Sequence, residues 1–132
     1  MSKMQKRCVI YTRCASAYIN GEVLLAQEDE CLAYIKKHDN NSWIFVEKTY
    51  RDNGVSGMTL NRSGLTRLMD DAKRQKFDCV VMTCPSRLSR KLDDSDYLCH
   101  TFQSYGVEVH YAQQEIANHL IGANALKEIG RA

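Results

Sequence analysis

The residues best equipped for chemistry are arginines and hydroxyls that recur in three short stretches. Arg13 is followed by Cys14, Ala15 and Ser16; Arg51-Asp52-Asn53-Gly54-Val55-Ser56-Gly57 leads on to Arg62; Cys84-Pro85-Ser86-Arg87-Leu88-Ser89-Arg90 holds two more guanidiniums. Guanidinium is always charged, and its fixed fork of donors matches phosphate oxygens. Arg87 and Arg90 are three residues apart and share a face in a helical turn. A serine among several arginines is equipped to attack a phosphodiester. The hydroxyl supplies the nucleophile, while the arginines offset phosphate charge and stabilise the pentacoordinate transition state. For any one arginine, a surface salt bridge is the simpler account. Several at a ligand-binding edge argue against it.

Three other signals are weaker. Cys84 to Arg90 has the C-x5-R spacing of cysteine-dependent phosphatases, whose loops cradle phosphate with successive backbone N–H groups. Here Pro85 has no N–H, the loop has no glycine, and Lys91 stands where a hydroxyl would help the leaving thiolate. A cysteine phosphatase using Cys84 is therefore the alternative enzyme. His38, His100, His110 and His119 are scattered, as expected of surface or strand residues rather than ligands. Gly54 and Gly57 make no dinucleotide fingerprint and there is no phosphate-loop motif; a turn with positive φ suits them better.

These stretches follow segments that read as strands. Arg7–Thr12, Trp43–Tyr50, Asp78–Thr83 and Val107–Tyr111 are strand-like, the first and third being nearly continuous apolar runs of the kind covered on both faces. Helical stripes lie between them. Leu24, Leu25, Cys31, Leu32 and Ile35 mark Leu24–Lys37; Leu65, Leu68, Met69 and Ala72 mark Gly64–Gln75; Tyr97, Leu98, Thr101 and Phe102 mark Asp93–Tyr105, which ends at Gly106, a good helix-stop residue. This alternation predicts an α/β fold with a mostly parallel central sheet of four or five strands and helices on both faces, a Rossmann-like three-layer arrangement. Ligands bind such sheets beyond the carboxyl ends of the strands, here the loops after Thr12, Tyr50 and Thr83. Arginines at a strand-end loop are seldom core, so substituting Arg87 or Arg90 is expected to change stability little. Gln113–Ala132 carries Ile116, Leu120, Ala123, Leu126 and Ile129 at helix-like spacing, as a packing helix or the start of a longer one.

Composition bounds the rest. A length of 132 residues predicts one domain, 1–132. With 44% hydrophobic and 26% charged residues, one proline and seven glycines, the chain is neither disordered nor collagen-like. Apolar runs of four or five residues, as in Cys8-Val9-Ile10-Tyr11, are too short to cross a membrane, and the MSKMQKR start lacks a signal-peptide core. The six cysteines form no C-x-x-C and suggest no zinc site, so free thiols in a reducing cytoplasm are expected. A net charge of +2 is too mild to announce nucleic-acid binding by itself.

Taken in order, the motifs resemble the catalytic domain of the serine recombinases, the resolvases, invertases and serine integrases. The family's Tyr-x-Arg-x-Ser strand end is matched by Tyr11-Thr12-Arg13-Cys14-Ala15-Ser16, and its helix-borne glutamine by Gln27. Its D-x-G-x-S-G turn is matched by Asp52–Gly57, its Arg-x-Gly-Leu by Arg62–Leu65, and its Arg-Leu-Ser-Arg by Arg87–Arg90. The likeness spans roughly residues 7 to 112.

The resemblance implies that serine attacks a DNA phosphodiester, giving a 5′-phosphoserine link and a free 3′-hydroxyl, with the ends then exchanged and resealed. It implies no metal, no ATP and no other cofactor. It implies DNA as partner, a homodimer, a tetramer in the active synaptic complex, and no membrane; with few clustered cations beyond the site arginines and a net charge of +2, this chain alone is expected to bind DNA weakly. By motif, Arg13, Arg62, Arg87 and Arg90 would bind the scissile phosphate, Gln27 and Asp52 would support the site by hydrogen bonds, and Tyr11 would be a supporting member of the motif or else only a packing residue. The sequence departs from the pattern twice. The nucleophile position by spacing falls on Ala15, so Ser16, one residue later, is taken as the nucleophile; the alternative is a catalytically silent domain kept for assembly. The family's Asp before the paired arginines is Ser86. The family continues into a long oligomerisation helix and a DNA-binding region; this chain is expected to stop before or within that helix.

Overall fold

The computed structural model describes residues 5–14, 22–38, 42–53 and 62–113. Within them run β1 (Lys6–Cys14), α1 (Glu22–Lys36), β2 (Trp43–Asn53), α2 (Ser63–Lys73), β3 (Cys79–Met82), α3 (Leu92–Ser104) and β4 (Glu108–Tyr111), with a 3-10 turn at Pro85–Arg87. The described strands form one four-stranded sheet in the order β2-β1-β3-β4, parallel at every pairing. This is the expected α/β architecture.

The period of two in each strand sorts side chains between two layers. Val9 and Tyr11 of β1, with Val80 and Met82 of β3, pack against Leu65, Leu68 and Ala72 of α2 and Leu98 and Phe102 of α3. Cys8 and Ile10, with Cys79 and Val81, face Cys31, Tyr34 and Ile35 of α1. Cys8, Cys31 and Cys79 are fully buried free thiols, used as small hydrophobes. At the end of α3, Gly106 takes φ 80°, and the N–H groups of Gly106 and Val107 donate to the carbonyls of Gln103 and Phe102. That left-handed step is why a glycine ends this helix.

Two expectations need correction. First, β1 and β2 continue past their apolar runs, pairing Arg13 with Asp52 and Cys14 with Asn53. Arg13, Arg51 and Asp52 are therefore strand residues, not loop residues: backbone ladder bonds extend a strand whatever its side chains. β3 is shorter than expected and pairs with β1 only over Cys8–Ile10, so among the described residues the end of β1 has no strand neighbour on that side. Second, His38 and His110 are not scattered. His38 stacks on the Trp43 ring at 4.2 Å and His110 meets it edge-on at 4.8 Å. Their convergence depends on α1, β2 and β4 meeting at one place. His119, Gly54, Gly57 and the Ile116–Ile129 stripe lie outside the described residues.

Candidate active site

The carboxyl ends of β1, β2 and β3 bring the predicted arginines together, but in unlike surroundings. Arg13 is 2% exposed and Arg62 1%, and they are the two largest fully buried side chains. Both depart from the rule that arginines at strand ends are seldom core. The reason is the turn after β3, which points its carbonyls inward. Arg13 donates from Nε to the Arg87 carbonyl at 3.0 Å and from Nη2 to that of Ser86 at 2.7 Å. Arg62 donates from Nη1 to the Arg87 carbonyl at 3.3 Å and from Nη2 to the Leu88 carbonyl. Arg87 is half-buried, and its Nη1 donates to the Arg13 carbonyl at 2.7 Å. Arg90 is exposed. Arg87 and Arg90 line an open groove with Pro85, Ser86, Ser89, Leu92 and Ser95.

Asp52 ties the floor of the site. Its Oδ1 accepts the Gly64 N–H at 2.7 Å, and its Oδ2 accepts the Leu65 N–H at 2.9 Å and the Tyr11 hydroxyl at 2.7 Å. Arg62, at the N-cap of α2, makes no side-chain cap. A carboxylate from β2 caps the helix in its place, with a negative charge at the positive end of the helix dipole. Gly64 is required for this approach: a Cβ there would lie 2.6 Å from the Arg51 carbonyl oxygen and 2.8 Å from Asp52 Oδ2. Tyr11 is thus tied to Asp52 by a hydrogen bond and is not only a packing residue. Burial and then the bond to Asp52 push its phenol far up, which keeps it a donor.

Gln27 of α1 completes the end of β1. Its Oε1 accepts the Arg13 N–H at 3.1 Å and its Nε2 donates to the Arg13 carbonyl at 2.9 Å. The amide mimics the strand partner that β3, ending at Met82, does not supply.

Backbone carbonyls orient a guanidinium without cancelling its charge. Burial, then Arg62, Arg87 and Arg90, push Arg13 below the ordinary arginine value. The neighbouring guanidiniums add like-charge repulsion to the cost of burial. At the groove's edge, burial raises the Cys84 thiol, but hydrogen bonds involving Ser86, Arg87 and Thr83 outweigh it, and the net direction is down. Its Sγ lies 3.2 Å from Ser86 Oγ.

The C-x5-R loop does not form a phosphatase cradle. The N–H of Arg87 is bonded to the Cys84 carbonyl, and those of Leu88 and Ser89 to the Pro85 carbonyl. Donors spent inside a 3-10 turn do not converge on a phosphate. Ala15, Ser16 and Ser56 lie outside the described residues. Among the described residues, no group of three or more His, Cys, Asp or Glu is placed to hold a metal ion, and no helix is long and apolar enough to cross a membrane. Sequence reasoning missed the carbonyls of Ser86, Arg87 and Leu88 as guanidinium acceptors, because every residue type carries a carbonyl.

Comparison with known proteins places this arrangement. A search of the curated proteins gave no match. Residues 8–126 match the family model described as resolvase, N-terminal domain. Among solved structures, the N-terminal catalytic domain of TP901-1 integrase is 26% identical, covering 96% of this chain and 97% of that one, with a TM-score of 0.71. The C-terminal catalytic domain of ISC1926 TnpA, an IS607-like serine recombinase, is 27% identical over 92% of this chain and 84% of that one, at 0.68. A resolvase family site-specific recombinase from Streptococcus pneumoniae is 25% identical over 96% and 89%, at 0.67. With the family model spanning most of the chain and the arginine cluster at the strand ends, this protein belongs to the serine recombinases, as a resolvase-type catalytic domain.

Proposed function

We propose that the chain cuts and rejoins DNA through a covalent phosphoserine, with Ser16 as nucleophile. The observation that carries this reading is the arginine cluster at the carboxyl ends of β1, β2 and β3, two of its members facing an open groove. The Ser16 oxygen bonds to phosphorus as the bond to the 3′ oxygen breaks. The serine loses its proton and the 3′ oxygen gains one, leaving a 5′-phosphoserine and a free 3′-hydroxyl. The charge that builds on the non-bridging oxygens is met by guanidinium, already oriented and held in a partly dry site. Religation is the same step reversed, since the serine ester conserves the bond energy. DNA is the partner, and the active assembly is the tetramer formed from two dimers.

Ala15, at the family's nucleophile position, favours a second reading: a domain that assembles but does not cut. A one-residue displacement moves a hydroxyl by ~3.3–3.6 Å in extended chain, enough to lose in-line geometry unless the loop adjusts. A duplex nicked to trap the cleaved end separates the readings. The full chain is expected to form a covalent DNA adduct that Ser16→Ala abolishes and Ala15→Ser leaves nearly unchanged. Adduct formed only after Ala15→Ser establishes the silent reading. Adduct persisting in Ser16→Ala refutes the proposed nucleophile.

A further inference from the structure

Resemblance assigns all four arginines to the scissile phosphate, but their surroundings divide them. Arg62 is 1% exposed. Its Nε, like that of Arg87, is buried with no hydrogen-bond partner among the described residues, Nη1 and Nη2 donate to the carbonyls of Arg87 and Leu88, and its guanidinium carbon lies 5.8 Å from the Tyr11 ring centroid. A side chain so enclosed presents no surface to a ligand in the groove. Its backbone is equally fixed, because Arg62 is the N-cap of α2, whose first turn is bonded to Asp52 of β2. Arg62 therefore staples β2 and α2 to the turn after β3. That turn carries Arg87 and leads to Arg90, which do line the groove.

We infer that Arg62 is a positioning residue: it holds the Ser86–Leu88 turn, and through that turn sets the Arg87 guanidinium, without touching the phosphate. The inference rests on the recombinase reading and reassigns one residue within it. Two donors of one planar fork reach two successive carbonyls while the guanidinium carbon sits over an aromatic ring. Lysine keeps the charge but has no planar fork to bridge both carbonyls. The two roles therefore predict different outcomes for a charge-preserving substitution.

The test is side-chain NMR of the full chain, with a short single-stranded DNA oligonucleotide as probe. In the wild type, the Nε–H signals of Arg87 and Arg90 are expected to shift on titration while that of Arg62 stays in place. An Arg62 shift as large as that of Arg87 overturns the inference. Arg62→Lys is expected to move the backbone signals of Arg87 and Leu88 and to lower oligonucleotide affinity about ten-fold in the folded protein, the loss expected for a charged hydrogen bond. A variant that only melts earlier, with turn and affinity unchanged, makes Arg62 merely structural and also overturns the inference. If Arg62→Lys does not fold, the wild-type titration decides alone. If Arg87 and Arg90 ignore the oligonucleotide in the wild type, the DNA reading fails, while the response of the turn to Arg62→Lys still decides whether Arg62 positions Arg87.

Discussion

Gly64→Ala should destabilise this protein although it stands in the first turn of a helix, where alanine ordinarily helps. Alanine gains roughly 0.5–1 kcal/mol over glycine inside a helix, mostly by restricting the unfolded chain. Against that, the added Cβ would sit 2.6 Å from the Arg51 carbonyl oxygen, 2.8 Å from Asp52 Oδ2 and 2.9 Å from the Arg51 carbonyl carbon. Two of these atoms are strand backbone, held by the pairing of Arg51 and Asp52 with β1. Relief therefore means moving α2 away from β2. Such overpacking costs about 1–3 kcal/mol. Moving α2 also stretches the 2.7 and 2.9 Å bonds from the Gly64 and Leu65 N–H groups to Asp52. Hydrogen bonds to a charged group are worth about 1.5–3 kcal/mol each. After the helix-propensity gain, a net loss of about 2–4 kcal/mol is expected, a Tm drop on the order of 10 °C for a domain of this size. Thermal unfolding followed by circular dichroism, paired with urea unfolding, measures it. In an Asp52→Ala background the cost should shrink but persist, since the Arg51 carbonyl still obstructs. A Gly64→Ala variant as stable as the wild type, or more so, would refute the claim that close approach selects glycine here.

Other expectations follow from single contacts. Tyr11→Phe removes one of three donors to Asp52 and should cost about 1–3 kcal/mol in urea unfolding; no change would remove Tyr11 from the network. Asp78 accepts from Arg7 Nε at 3.1 Å and from the Arg7 backbone N–H at 2.8 Å, and the Arg7 guanidinium holds its carboxyl below the ordinary 3.8. A depressed folded value means that this stabilisation is present above about pH 4 and fades as pH falls through the folded value. The stability gap between wild type and Asp78→Asn should therefore close on acidification, and a gap constant down to pH 2 would contradict it. Arg87→Lys should weaken binding of a short oligonucleotide by about ten-fold, because the forked donor geometry is lost; unchanged binding would make Arg87 a surface charge.

The alternation of apolar strands with 3.6-period helices made the parallel sheet and its ligand-binding edge legible in the sequence. Such patterning reflects which face each element must bury, and burial is a property of side-chain type. The ordered motifs ending at Arg87-Leu88-Ser89-Arg90 made the family legible for the same reason, since guanidinium and hydroxyl are carried by particular residues. What the sequence could not display was anything decided by backbone atoms or by spacing across the fold. The inward carbonyls of Ser86, Arg87 and Leu88 bury Arg13 and Arg62, although the sequence gives strand-end arginines every reason to face water. Gln27 completes the end of β1 because β3 stops at Met82, a length set by pairing rather than by composition. Asp52 caps a helix whose N-cap residue, Arg62, lies ten positions later in the chain. Carbonyls and N–H groups are common to nearly every residue, so only the tertiary path of the chain determines which of them meet a charged side chain.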